Sequence, residues 1–302
     1  MKLPKKVRIR DVGPRDGFQN VRTFIDTDKK LEIIDGLVTA GIQAIEITSF
    51  VNPKAIPQMA DAAKVAAEVR KKYPDLEALA LVPNLRGAEN ASKAGIRNVA
   101  YVVSASEAHN KANVNRSIDE SVENLKELVL QHPELNVRVD IATAFGCPYS
   151  GTTPPENVFR LLKVCRELRI QEVTLCDTIG IANPKQVSGL LNAVKDGFPE
   201  LNIALHLHNT RGMALANMAV AAECGITNFE TSVGGLGGCP FAPGSEGNAA
   251  TEDTVYMFEQ MGVETGIDLE KLIETVSYVQ ANVDALVTGK MLKVKNSTCI
   301  NF

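Results

Sequence analysis

Two of the four histidines stand at i and i+2, in His206-Leu207-His208, closing the β-rich apolar stretch Ile203 to His208. Side chains two apart on a strand point the same way, so both imidazoles can reach one cation, and a carboxylate such as Asp16 can add a hard oxygen. Imidazole, carboxylate and amide donors with open positions suit Mg2+ or Mn2+ better than a closed thiolate zinc site. The competing reading is a pair of hydrogen-bonded core histidines; two together at a strand end favour the metal. Arg15 lies beside Asp16 in Gly13-Pro14-Arg15-Asp16-Gly17. It can stabilise an enolate or carboxylate oxygen through charge-assisted hydrogen bonds, or pair with Glu46 as an ion pair that supports the barrel. Gly234-Gly235-Leu236-Gly237-Gly238-Cys239-Pro240 lacks the Lys-Ser/Thr ending of a P-loop and the dinucleotide spacing. A flexible turn accounts for its glycines but leaves Cys239 unexplained. On a mobile loop, that thiol could protonate or deprotonate a carbon centre.

These residues need elements to hold them. Short β-rich segments recur at Val7 to Val12, Ala44 to Phe50, Ala78 to Val82, Asn98 to Ser104, Val137 to Thr143, Glu172 to Asp177, Ile203 to His208 and Asn228 to Val233. Stretches with helical spacing separate them. Lys29 to Ala40 carries Leu31, Ile34, Leu37 and Val38 on one face, and Glu156 to Leu168 carries Val158, Leu161, Leu162 and Val164. Strand–helix repetition implies parallel strands with right-handed crossovers, and eight such units close into a barrel. The expected fold is therefore α/β, a (β/α)8 TIM barrel with additional C-terminal helices, against the alternative of a doubly wound open sheet. A single domain over 1–302 is expected, with the barrel at about 7–262 and an extension at about 263–302. Thr251 to Gly262 and Leu269 to Ala281 read as its last helices. Working residues of such barrels sit at the C-terminal ends of strands. Arg15, Asp16, Glu46, Asp177, His206, His208 and the glycine loop satisfy that filter.

The totals bound the partners. A net charge of -4 offers no overall basic field for nucleic acid or anionic lipid. No apolar run approaches the roughly 20 residues that cross a bilayer, and Met1 to Lys6 leads into no signal-peptide core. Six cysteines without a CxxC spacing read as reduced thiols, so a soluble cytoplasmic enzyme is expected. Cys147, Cys165, Cys176 and Cys224 read as small buried hydrophobes, and His109 and His132 as loop residues without a role.

Val12-Gly13-Pro14-Arg15-Asp16-Gly17-Phe18-Gln19-Asn20, Ile45 to Val51, His206-Leu207-His208-Asn209-Thr210 and Gly235-Leu236-Gly237-Gly238-Cys239-Pro240-Phe241-Ala242, leading to Gly247-Asn248 and Thr251-Glu252-Asp253, together resemble the 3-hydroxy-3-methylglutaryl-CoA lyase family, among the DRE-TIM metallolyases. The similarity runs from about Val7 to Cys299, with the cysteine loop its most specific motif. The resemblance implies cleavage of 3-hydroxy-3-methylglutaryl-CoA to acetyl-CoA and acetoacetate by retro-Claisen chemistry. It also implies that Asp16, His206, His208 and Asn248 hold a divalent metal. Arg15 would stabilise the enolate of acetyl-CoA, Cys239 would protonate it, Glu46 would orient its neighbours, and Asp16 or His206 would take the hydroxyl proton. The implied partner is an acyl-CoA, and relatives of this kind often form homodimers.

Three positions depart from the family pattern. Val21-Arg22 stands where an acidic residue and a lysine are usual, Phe18 replaces a leucine, and Asp11 a glutamate. They bear on the acyl group and CoA contacts, which keeps lyases of citramalyl-CoA or a longer 3-hydroxy-3-alkylglutaryl-CoA in view. A Claisen-type acetyl-CoA/2-oxo acid synthase is a further alternative, although such synthases usually lack this cysteine loop and carry a C-terminal regulatory region. A non-catalytic scaffold would be marked by lost ligands, and the expected ligands are present.

Overall fold

The computed structural model describes residues 2–237 and 247–295. Eight parallel strands close into a barrel in chain order: β1 (Arg8–Asp11), β2 (Ala44–Ser49), β3 (Glu77–Leu81), β4 (Asn98–Ser104), β5 (Asn136–Ala142), β6 (Glu172–Asp177), β7 (Asn202–Leu207) and β8 (Asn228–Thr231). The ring is sealed by β1 against β8, from Arg8 opposite Asn228 to Asp11 opposite Thr231. A strand covered on both faces has no solvent side. All six residues of β2 are accordingly buried, the polar Glu46, Thr48 and Ser49 among them.

The outer layer consists of α1 (Thr27–Thr39), α2 (Ala62–Lys72), α3 (Leu85–Lys93), α4 (Glu107–Val114), α5 (Ile118–Gln131), α6 (Pro155–Glu167), α7 (Pro184–Gly197), α8 (Ala214–Glu223), α9 (Thr251–Gln260), α10 (Leu269–Asn282) and α11 (Met291–Lys295). In α1 the buried apolar side chains are Ile33, Ile34 and Leu37, whereas Leu31 and Val38 of the expected face are only half-buried. The face is turned because α10 packs along α1, with Thr275 against Gly36 at a spacing that leaves no room for a β-carbon. Similarly, α6 buries Cys165 and leaves Val164 half-buried. Each such aliphatic side chain taken fully from water contributes about 1.5–3 kcal/mol.

Two helices follow β4. Ser106 starts the first by accepting a hydrogen bond from the His109 N–H, and Asn115, in the left-handed region at φ 55°, ends it. His109 is therefore a buried helical residue and not part of a polar loop. Ser117 and Glu120 then form a reciprocal capping box for α5. Cys147, Cys165 and Cys176 are buried as expected, but Cys224 is half-exposed because it caps the surface end of α8. His132 ends α5 and pairs with Glu134 at 3.3 Å. Among the described residues no helix is long and apolar enough to cross a membrane.

Candidate active site

The turn after β1 is wound by Pro14, whose fixed φ suits the first turn of a helix, and tightened by the Asp16 N–H on the Val12 carbonyl at 2.7 Å. Gly17 allows it to lie against Leu236, since a β-carbon there would stand 2.8 Å from the Leu236 Cβ. This turn carries Arg15 and Asp16 over the mouth of the barrel. From the other side, β7 brings His206, and His208 follows at the strand's end, bridged to Asn248. One ligating atom from each of Asp16, His206 and His208 lies within 4.8 Å of the others.

Electrostatics favour the lone-pair donor forms of Asp16 and His208. Burial opposes ionisation of Asp16, but the Arg15 guanidinium, the two imidazoles and a hydrogen bond from Asn248 bring its carboxyl down to about 2. Burial, reinforced by His206, brings His208 to about 4 and keeps it neutral. Its buried Nδ1 has no hydrogen-bond partner. For His206, burial is outweighed by Glu230 and Asp16, and the imidazole is raised above its ordinary value. Glu230 contacts His206 Nδ1 at 3.2 Å, which orients the ring and leaves Nε2 for a ligand. Asn248 is held by its amide nitrogen, 2.6 Å from Asp16 Oδ2 and 3.0 Å from the Leu236 carbonyl. An ionised carboxylate, two neutral-capable imidazoles and an orphaned buried nitrogen fit a divalent cation.

Arg15 faces the same space. Its Nε donates to Glu46 Oε2 at 2.7 Å and its Nη1 to Asp16 Oδ1 at 2.6 Å, so the ion pair with Glu46 is real and also aims the guanidinium. Burial would lower Arg15, yet Glu46, Asp16 and Asp140 hold it above its ordinary value and permanently charged. A cavity of about 450 Å³ opens over these groups, with Val51, Ile56, Leu81 and Val102 among its apolar lining and Arg15, Asp16, His206 and His208 among its polar lining.

Asp177 passes the strand-end filter but works locally, accepting the backbone N–H groups of Ile181 and Ala182 at 2.9 Å each. Cys239 lies outside the described residues. The flanks of its loop are placed: a β-carbon at Gly237 would stand 3.5 Å from Asp16 Oδ2, and the Asn209 N–H meets the Gly247 carbonyl at 2.6 Å. The reading of the sequence missed Gln19, which donates to Asp16 Oδ1 at 2.8 Å, and Glu230, Asp140 and Arg138 in the lumen. Alternating charge in Arg138-Val139-Asp140, on a strand predicted to sit inside a barrel, was the available signal. Burial raises Asp140, with Glu230 and Glu46 adding to the effect and Arg138 opposing it.

A closed (β/α)8 barrel whose C-terminal mouth gathers two imidazoles, a carboxylate and a fixed guanidinium over a cavity defines the frame of a metal-assisted enzyme. The family model described as HMGL-like matches residues 6–279, and the chain belongs to that family. It is 48% identical to the hydroxymethylglutaryl-CoA lyase of Bacillus subtilis (strain 168), over 99% of this chain and 100% of the relative. With the human mitochondrial hydroxymethylglutaryl-CoA lyase it shares 41% identity, over 98% of this chain and 91% of that protein. Among solved structures, an HMG-CoA lyase from Acinetobacter baumannii in complex with coenzyme A and 3-methylmalate superposes with a TM-score of 0.92 at 38% identity, covering 99% of this chain and 98% of that one.

Proposed function

We propose that this chain is a divalent-metal-dependent carbon–carbon lyase that cleaves 3-hydroxy-3-methylglutaryl-CoA to acetyl-CoA and acetoacetate. The observation that carries the reading is the convergence of Asp16, His206 and His208 on one point beside Arg15. Near-full-length similarity to enzymes named for this activity supports the choice of substrate.

Asp16, His206, His208 and Asn248 would hold the cation. When bound, it supplies a Lewis acid that makes the tertiary hydroxyl easier to deprotonate. The hydroxyl proton passes to Asp16 or His206. As the C2–C3 bond breaks, its electron pair moves onto the thioester as an enolate, and the hydroxyl carbon becomes the ketone of acetoacetate. Arg15, held by Glu46, stands ready to stabilise the enolate oxygen. Cys239 then gives a proton to C2, completing acetyl-CoA. Val51, Ile56, Leu81 and Val102 give the cavity an apolar side against which the acyl group can pack.

Mg2+ or Mn2+ is the cation we assign, a cytoplasmic homodimer the form in which the enzyme works, and 1–302 a single functional domain. The four described cysteines are free, in keeping with a reducing compartment.

The test is to add Mg2+ or Mn2+ and 3-hydroxy-3-methylglutaryl-CoA to the purified protein and follow acetyl-CoA release. Metal-dependent release is expected, and it should stop on chelation. Condensation of acetyl-CoA with a 2-oxo acid, without cleavage, would overturn the assignment in favour of a synthase.

A further inference from the structure

Two loops meet over the cavity. The first leaves the turn after β1 and brings Gln19 and Asn20 to the lining; the second follows β2 and brings Val51 and Ile56. Gln58 belongs to the second loop, in the single turn Pro57–Met59, 3% exposed and outside the lining itself. Its side chain reaches across to the first. The amide nitrogen donates to the Val21 carbonyl at 2.8 Å and the Thr23 carbonyl at 2.7 Å, and the amide oxygen accepts the Ile25 N–H at 3.1 Å. A flipped amide would set its oxygen against two carbonyls, so one orientation is fixed. Buried Lys30 braces the same place by donating to the Gln58 carbonyl and to Asp61 Oδ1.

All three of these side-chain contacts of Gln58 fall on main-chain atoms. They are indifferent to the side chains of Val21 and Arg22, where the sequence departs from the family pattern. Buried main-chain groups of a loop need partners, and here one amide supplies three. The Val21 N–H donates to the Phe18 carbonyl at 2.9 Å while Gln58 takes the Val21 carbonyl, so this residue is held from both sides. Gln19, two positions earlier, donates from Nε2 to Asp16 Oδ1 at 2.8 Å. The route from Gln58 to the candidate metal group is therefore short: one amide fixes Val21, and Val21 ends the stretch from which a second amide steadies the Asp16 carboxylate. A hydrogen bond to a ligating carboxylate sets its orientation.

We propose that Gln58 is a positioning residue that fastens the loop after β1 so that Gln19 holds Asp16 in its ligating orientation. This rests on the metal-dependent lyase reading above and adds to that site a residue that acts only through others.

The experiment is a double-mutant cycle on the full chain. Mn2+ affinity, from calorimetric titration, and kcat/KM for 3-hydroxy-3-methylglutaryl-CoA are measured for wild type, Gln58→Met, Gln19→Met and the double variant, with a urea melt of each. Methionine is unbranched and of similar length, and removes the amide. Mn2+ affinity should fall about 10–100-fold in Gln19→Met and about tenfold in Gln58→Met. In the double variant it should stay within about threefold of Gln19→Met, because the route from Gln58 then has no end, whereas independent losses multiply. Losses that multiply would overturn the proposal. So would a Gln58→Met protein whose urea midpoint drops while its Mn2+ affinity and kcat/KM remain within about threefold of wild type, since packing alone moves only the midpoint. If Gln58→Met does not fold, the cycle is run with Gln58→Asn, whose amide is one methylene too short to reach both carbonyls, and the same limits decide. Mn2+ binding without acetyl-CoA release would refute the lyase reading, while the affinity cycle would still decide the role of Gln58.

Discussion

His208 and Arg15 sit within one cavity but do separable work. His208 is neutral and its Nδ1 is orphaned, so its contribution is a lone pair. His208→Ala should therefore lose both turnover and Mn2+ affinity, the latter by more than about 100-fold, since even residues that only orient a ligand contribute about 10–100-fold. Calorimetric titration with Mn2+ checks this, and intact affinity would remove His208 from the ligand set. Glu230→Gln tests the supporting layer: it keeps an acceptor for the His206 ring but removes the charge behind it, and Mn2+ affinity should fall about 10–100-fold. Arg15→Met should instead lower turnover by about 10²–10³ while Mn2+ still binds, because the guanidinium acts on charge that develops during the reaction. Cys239→Ser should behave as Arg15→Met does, losing turnover and keeping metal.

At the scale of elements, the segment after β8 matters most. Gly237 has φ +106°, and a β-carbon there would lie 2.5 Å from the Asn248 amide nitrogen. Gly237→Ala should push Asn248 away from Asp16, weaken metal binding and reduce turnover. Backbone strain adds a cost of about 1–3 kcal/mol. Parallel urea melts and Mn2+ titrations would show whether both effects occur. Ser117→Ala is the contrast. It removes one half of the capping box of α5, far in sequence from the site turns, so it should cost about 1 kcal/mol in the urea melt and leave kcat/KM unchanged. Helix boundaries around this element were the least legible part of the sequence. The split after β4 depends on Asn115 adopting a left-handed conformation, and no apolar period announces that.

At the scale of the whole molecule, Glu252 and Asp11 are buried carboxyls that lie outside both the metal group and the cavity lining. Glu252 accepts one bond from the Gly234 N–H, its Oε1 is orphaned, and burial, with Asp253 and Asp11 nearby, raises it from its ordinary 4.5 to about 8. Asp11, bonded by Thr251 and Gly13, is raised by burial to about 7. In the unfolded chain these groups ionise at their ordinary values, while the folded protein keeps their protons. Between about pH 4.5 and 8 the unfolded state thus binds fewer protons, and stability falls as pH rises. Glu252→Gln cannot ionise, so its melting temperature should decline less steeply over that window and exceed that of wild type above about pH 8. Asp11 leaves a residual slope. Thermal scans across the range test this, and parallel curves for the two proteins would refute it.

The sequence alone determined the eightfold strand–helix alternation and, with it, the barrel, because parallel strands buried on both faces must be apolar runs and their crossovers must be amphipathic helices. It also placed His206 and His208 on one side of a strand end, since period two is a local property of extended chain. Tertiary structure decided what local spacing cannot express. Residue 16 meets residues 206, 208 and 248 only because closure of the barrel brings the turn after β1 beside the ends of β7 and β8. Glu46 likewise fixes Arg15 from the neighbouring strand, and Glu230 takes up His206 from the next. The lumen charges looked like ordinary polar residues in the sequence. Enclosure in a sealed ring turned them into a network whose energies depend on which oxygen has a donor and which, like Asp140 Oδ1, has none.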